Sequence, residues 1–289
     1  MVPADAGNID CTHNHSSEVN RMNRTLLAAA LLVLTLAAVV ATTGSASATH
    51  SWGGYHWART SNNPFTLKLG DDTSGTWTKD LGIVASDWSK GTTASPTVLT
   101  ATVVTGKTRA KTCRPTSGQV EVCSANYGNT GWLGVAQIWI SGGVHITQGT
   151  VKNNDFYFGS STYQYNNTAE QQHVICQEVG HTLGLDHQST DGSPQNTCMD
   201  YYHNTSASDT QSTHPNTHDY DELGIIYGHL DSSTTIARSP AAAAAAGAAL
   251  DDPNEWGRLV SGSKDGHSAT YERDFGGGNK VVTFVIFTQ

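Results

Sequence analysis

The chain has 289 residues, with 16 Lys and Arg against 25 Asp and Glu, a net charge of -9, 37% hydrophobic and only 14% charged residues. Those proportions exclude a coiled coil and a highly charged disordered chain, and they describe a loop-rich folded protein. No dense Lys/Arg run occurs, so nucleic acid is not expected as a partner, because phosphate binding needs clustered cations.

The N-terminus carries the first interpretable signal. Arg21 and Arg24 precede an apolar run from Leu26 to Ala41, and small residues follow to Ala46-Ser47-Ala48. A positive flank, an apolar core and an A-x-A site together read as a secretory signal over residues 1–48, cut after Ala48. The run is Ala-rich and slightly short for a bilayer, so no stable membrane span is expected after cleavage. Met22-Asn23-Arg24 would itself make a good start, which makes residues 1–21 a candidate over-called segment. Cys11, His13 and His15 fall within it and are assigned no role.

Past that region, Trp57, Phe65, Leu67 and Leu69 alternate within residues 52–70 and predict a first strand. Asp71-Asp72-Thr73-Ser74-Gly75 lacks EF-hand spacing and reads as a turn; whether calcium binds elsewhere is left open. Trp77, Leu81, Val84 and Trp88 recur at three- and four-residue spacing, one face of an amphipathic helix. Val98–Val104 reads as a strand. Gly131–Ile146 is apolar and interrupted by Gly142-Gly143, which suggests two strands or a bulged one. Thr168–Leu183 is the best helix candidate, ended by Gly184, and a second helix is expected over His218–Leu230. From Ser232 the composition shifts: an Ala-rich linker is expected over 233–250 and a small β-rich tail over 251–289. In the tail Asp274-Phe275-Gly276-Gly277-Gly278 precedes alternating apolar residues from Val281 to Phe287. A hairpin packed on the main domain and a tiny separate module would both fit. After signal removal four cysteines remain, Cys113, Cys123, Cys176 and Cys198, and an even count in an exported chain suggests disulfides. Of the three connectivities, one pairs Cys113 with Cys123 around a polar loop. Asn166 and Asn204 head Asn-x-Ser/Thr sequons.

The stretch Gln177-Glu178-Val179-Gly180-His181-Thr182-Leu183-Gly184-Leu185-Asp186-His187 carries the chemistry. On a helix, positions 177 and 181 lie one turn apart and face the same way. Glu178 precedes His181 by three residues, so its carboxylate can reach a water on a metal held there. Gly184 lets the chain leave the helix in a left-handed conformation and bring His187 back as a third ligand. Three protein ligands leave one position open for water. The stretch resembles the metzincin signature H-E-x-x-H-x-x-G-x-x-H. It matches at Glu178, His181, Gly184 and His187 and departs at Gln177, where the signature has histidine. Cys198-Met199-Asp200-Tyr201 resembles the family's Met-turn, with Met199 in the methionine's place. Tyr201 matches the tyrosine that approaches the metal in astacin-like branches. Asp219–Gly228 resembles the closing helix of matrixins.

The resemblance implies a metzincin-like catalytic domain over residues 49–232. Its fold would be α/β, with a twisted, mostly parallel sheet above a long active-site helix. It also implies one catalytic zinc ion, Glu178 as general base, and a protein or peptide substrate that pairs with an edge strand within Trp132–Ile140. A Met-turn stacked beneath the helix would set Cys198 against Cys176, giving the second disulfide. A secreted monomer is expected. Gln177 leaves three alternatives open: a neutral and weaker ligand than imidazole, a water-filled gap, or a lost metal site. His173 lies two turns before His181, about 12 Å along the axis, too far to share one ion on a continuous helix. It is read as a surface or packing residue, and His203, His214, His218 and His229 as solvent-facing or capping residues. No Cys lies between Ala48 and the first strand, so no cysteine-switch latency is expected. The rival readings are a catalytically weak or inactive scaffold that binds peptides, and a surface protein retained by an uncleaved N-terminal segment.

Overall fold

The computed structural model describes residues 50–189, 191–237 and 250–289. The signal region and most of the Ala-rich linker therefore lie outside the described residues. Nine strands form one sheet: β1 (His56–Trp57), β2 (Phe65–Asp72), β3 (Leu99–Thr105), β4 (Val120–Ala125), β5 (Trp132–Ser141), β6 (His145–Asn154), β7 (Arg258–Gly262), β8 (Ser268–Gly276) and β9 (Asn279–Phe287). The helices are α1 (Thr76–Trp88), the single turn α2 (Asp155–Phe158), α3 (Thr168–His181) and α4 (Thr217–Ile226). None is long and apolar enough to cross a membrane.

The sheet order is β3-β2-β4-β6-β5-β9-β8-β7, with β1 added beside the start of β6. Pairings from β3 through β6, and that of β1 with β6, are parallel. Those from β6 through β5, β9, β8 and β7 are antiparallel. The α/β class stands, but the expected mostly parallel sheet is corrected to a half-and-half mixed one. The cause is the tail, whose three strands extend the sheet as a meander instead of forming a separate module.

Other boundaries shift for local reasons. The single strand expected over residues 52–70 is two pieces, because Asn62-Asn63-Pro64 breaks it and sends β1 to β6 and β2 to β3 and β4. The polar loop expected between Cys113 and Cys123 contains the start of β4, whose Val120 and Val122 are fully buried. Gly142 and Gly143 both adopt positive φ and turn β5 into β6 as a hairpin.

The main core lies between the sheet and the helices. Trp77, Leu81, Val84 and Trp88 form the buried face of α1, as the spacing predicts. The Trp88 indole donates to Cys176 O at 3.2 Å, joining α1 to α3. Helix α3 opens on Asn167, whose side chain accepts from Glu170 N at 2.9 Å. It is buried from Ala169 to His181, so it runs through the core and not over it. Ala136, Ile138 and Ile140 of β5 and Val282 and Phe284 of β9 face this core. Their alternates Val135, Trp139, Val281 and Val285 pack on the other face of the sheet with Trp132, Leu250 and Trp256. That second cluster is what covers the outer face of β5.

Candidate active site

Helix α3 ends where the motif requires. Gly184 has φ of 97°, and a Cβ there would lie 2.0 Å from Tyr55 O. Only glycine fits both the left-handed backbone and the close approach of the N-terminal segment. The turn is held further by Trp52 N–H to Gly184 O at 3.0 Å, the Trp57 indole to Thr182 O at 2.9 Å, and Tyr227 OH to Leu183 O at 2.9 Å.

This turn brings His181 and His187 together, with Nε2 atoms 3.2 Å apart. The Nδ1–H of His181 donates to Leu185 O at 2.9 Å, and Nδ1 of His187 faces Asp186 Oδ1 at 3.2 Å. Acceptors at both Nδ1 atoms place the ring protons there and leave Nε2 as the free donor on each ring. Burial, then the neighbouring His187, drives the His181 pKa well below the usual imidazole value; burial lowers that of His187 against the pull of Asp186. Two neutral imidazoles with facing lone pairs suit a shared cation. Tetrahedral zinc, with bonds of about 2.1 Å, would separate two such nitrogens by about 3.4 Å.

Glu178 is fully buried, and neither carboxylate oxygen has a hydrogen-bond partner. The amides of Ala136 and Ile286 face it without closing a bond, and burial raises its pKa well above the carboxylate range. Gly134 makes room for it, since a Cβ at that position would meet Glu178 Oε1 at 2.8 Å. Gln177 turns another way. Its amide N–H groups donate to Cys198 O at 3.0 Å and Asp200 O at 2.5 Å, and its Oε1 is buried without a partner. Among the described residues no hydrogen bond links Gln177 to His181 or His187. The orphaned amide oxygen of Gln177, the orphaned carboxylate of Glu178 and the facing Nε2 atoms of His181 and His187 are donors of the kinds zinc takes, so the donor set fits zinc in its chemistry.

Beneath α3 lies the turn Cys198-Met199-Asp200. Met199 is fully buried, and a Cβ on Gly180 would come within 2.4 Å of its Sδ. The disulfides Cys176–Cys198 and Cys113–Cys123 are both formed, with Cα separations of 5.8 and 5.9 Å. The first bolts this turn to the helix. Asp200 accepts from Gln195 N at 2.7 Å, Ser212 Oγ at 2.8 Å and Tyr202 N at 3.0 Å. Tyr201 lies against His187, ring centroids 4.1 Å apart, and burial pushes its pKa up to about 12.

Two readings from sequence are corrected, those of β5 and His203, while His173 takes the packing alternative. Strand β5 is not an edge, because β9 pairs with it antiparallel from Trp132↔Phe287 to Ile140↔Lys280. His173 is packed at 0% exposure, with Nδ1 3.4 Å from Glu170 Oε2. His203 is buried instead of solvent-facing, and it pairs with the same carboxylate. His214 and His229 are exposed, and half-buried His218 stacks on His50.

The tail also supplies site neighbours that sequence reasoning missed. The Phe284 ring stacks on His181 at 4.2 Å and 4°, and Ser268 Oγ lies 3.4 Å from His187 Nε2. No local signal marks them, since they lie 81 to 103 residues beyond their partners. An open hollow of about 420 Å³ lined by Gly75, Trp77, Asp155 and Gln171 contains none of these residues. No family model matches this chain, and no curated protein matches it.

Proposed function

We propose that the chain is a secreted zinc-dependent endopeptidase of metzincin type, closed by its own C-terminal hairpin. The observation that carries the reading is the pair of Nε2 atoms 3.2 Å apart, with the buried, unpartnered carboxylate of Glu178 on the same helix as His181. His181 and His187 would hold the ion, with Gln177 Oε1 as the neutral third donor and Met199 beneath. Zinc bound there supplies a Lewis acid that lowers the pKa of a bound water and polarises a peptide carbonyl. With zinc held there, Glu178 would take a proton from the water and pass it to the leaving amine. Tyr201, beside His187, is placed to donate to the oxyanion. The formed disulfides support an exported protein.

Strand β9 lies antiparallel on β5 as an extended peptide would, with Phe284 over His181 and Ser268 beside His187. Its own hairpin thus keeps substrate from the edge of β5. Activity is expected once residues 251–289 leave, by a cut within the Ala-rich stretch that precedes them. The test compares zinc content and casein cleavage for the intact chain, for a chain cut at a protease site inserted in that stretch, and for Glu178→Ala. Zinc in all three, with cleavage only after the cut and only with Glu178, supports the proposal. Absence of zinc refutes it. Zinc without cleavage in the cut chain favours the peptide-binding scaffold, a reading supported by the hold of Cys198 O and Asp200 O on the Gln177 amide.

A further inference from the structure

A second cluster of metal-binding side chains lies away from the helix α3 histidines. His56 of β1, His145 at the start of β6, and His229 and Asp231 after α4 converge from three distant parts of the chain. Ligand atoms of His56, His145 and Asp231 all lie within 4.8 Å of one another. Asp231 Oδ1 is 3.3 Å from His56 Nε2, 3.1 Å from His145 Nε2 and 3.8 Å from His229 Nε2. His229 Nε2 is in turn 3.2 Å from His56 Nε2.

The contacts of Asp231 Oδ1 with His56 and His145 are close to the edge of a coordination tetrahedron, which for zinc bonds of about 2.1 Å is about 3.4 Å long, and His229 stands beside this group of three. The rings are set for it. His56 meets His145 at 86° and His229 at 85°, so the three ring nitrogens aim at one region and the rings do not stack. His56 Nδ1–H donates to Gly54 O at 2.8 Å, which leaves its Nε2 lone pair facing both the Asp231 oxygen and His229. Imidazole nitrogens facing one carboxylate oxygen at these distances are a donor set that a shared cation would satisfy. The outer contacts are those of a metal ligand as well: Asp231 Oδ2 accepts from Arg59 N at 2.9 Å, and Asp231 N donates to Arg59 O at 2.8 Å.

The other cluster of this kind, Glu170 with His173 and His203, has a different character. There the carboxylate already accepts from Asn204 N at 2.7 Å and pairs with both imidazoles. Its carboxylate is already satisfied by these partners.

We propose that His56, His145 and Asp231, with His229 beside them, bind a second divalent ion of the zinc class, structural in role because its ligands come from three distant parts of the chain. The ion ties β1 to the β5–β6 hairpin and to the segment after α4. Strand β1 leads directly into the contacts that hold the Gly184 turn, through Trp57 and Thr182. The proposal is independent of the peptidase reading.

The test uses the full mature chain carrying His181→Ala and His187→Ala, stripped with chelator, returned to zinc, and measured by equilibrium dialysis and metal mass spectrometry. About one zinc per chain is expected to remain. Adding His145→Ala with Asp231→Asn should weaken that binding at least tenfold, on the order of what loss of even an outer partner does. No bound zinc in the folded double variant overturns the proposal, as does binding unchanged by the further substitutions. Should the variants fail to fold, crystals of the unaltered chain grown with zinc decide the matter by anomalous scattering. A peak among His56, His145, His229 and Asp231 supports the site, and a map without one there overturns it.

Discussion

Replacing Phe284 by alanine separates the two roles its ring can have. The side chain is fully buried, stacks on His181 at 4.2 Å, and meets Trp52 edge-on at 6.1 Å. Removing a core phenylalanine costs about 3–5 kcal/mol. Most of that loss falls on the docking of β9, because the lost contacts run between the tail and the rest of the molecule. At about 1.4 kcal/mol per factor of ten, the open population rises roughly a hundredfold to a few thousandfold. Hydrogen exchange should show it as faster exchange of amides 279–287 relative to those of α3. Hydrolysis of a quenched peptide by the intact chain should rise, even as the midpoint of thermal unfolding falls. A drop in hydrolysis in protein that still folds would refute the reasoning, since Phe284 would then be supporting the His181 ring instead of covering it. Unchanged exchange in β9 would refute it too.

Further expectations concern the frame of the site. Gly184→Ala combines a φ of 97° with a Cβ 2.0 Å from Tyr55 O, so it should lower stability by at least about 2 kcal/mol, read by denaturant unfolding. Glu170→Gln leaves His173 and His203 without their buried carboxylate, which should cost about 3–5 kcal/mol near neutral pH. Burial alone would raise the Glu170 pKa, but His203 and His173 outweigh it and hold the group down at about 2. Its stabilisation is therefore present above the ordinary carboxylate range and is lost as pH falls toward 2, so the wild-type and Glu170→Gln unfolding midpoints should converge in acid. Replacing Cys176 and Cys198 together by serine opens a loop of sequence separation 22, and should cost about 3 kcal/mol by calorimetry.

Much of this was legible because it is local. The spacing of Trp77, Leu81, Val84 and Trp88 is a property of twelve consecutive residues, and it marks the buried face of α1. The helix expected over Thr168–Leu183 and ended by Gly184 is α3, Thr168–His181. The Gly142-Gly143 turn was visible, and the alternation from Val281 to Phe287 announced a strand. What that strand pairs with was not visible. Trp132–Ile140 reads the same whether its free side meets water, substrate or β9, and nothing near it in sequence distinguishes the cases. The partners of His203 and His229 were hidden for a related reason, and only His203 departs from the solvent-facing reading. His203 is buried because Glu170 awaits it from 33 residues away, and His229 meets His56 across 173 residues. Single polar residues carry no periodicity, so their partners emerge only once the chain has folded.

Neither disulfide reaches the tail: both close loops before residue 199. A chain cut within residues 238–249 is then two polypeptides with no covalent link, and its closure obeys mass action. A concentrated solution would stay shut, and dilution alone would open it, with no reductant needed. The hairpin once released is also a ligand in its own right, able to rebind in trans to any opened copy. Loss of activity on adding back a peptide of residues 251–289, reversed by dilution and indifferent to redox conditions, is the behaviour such an architecture dictates.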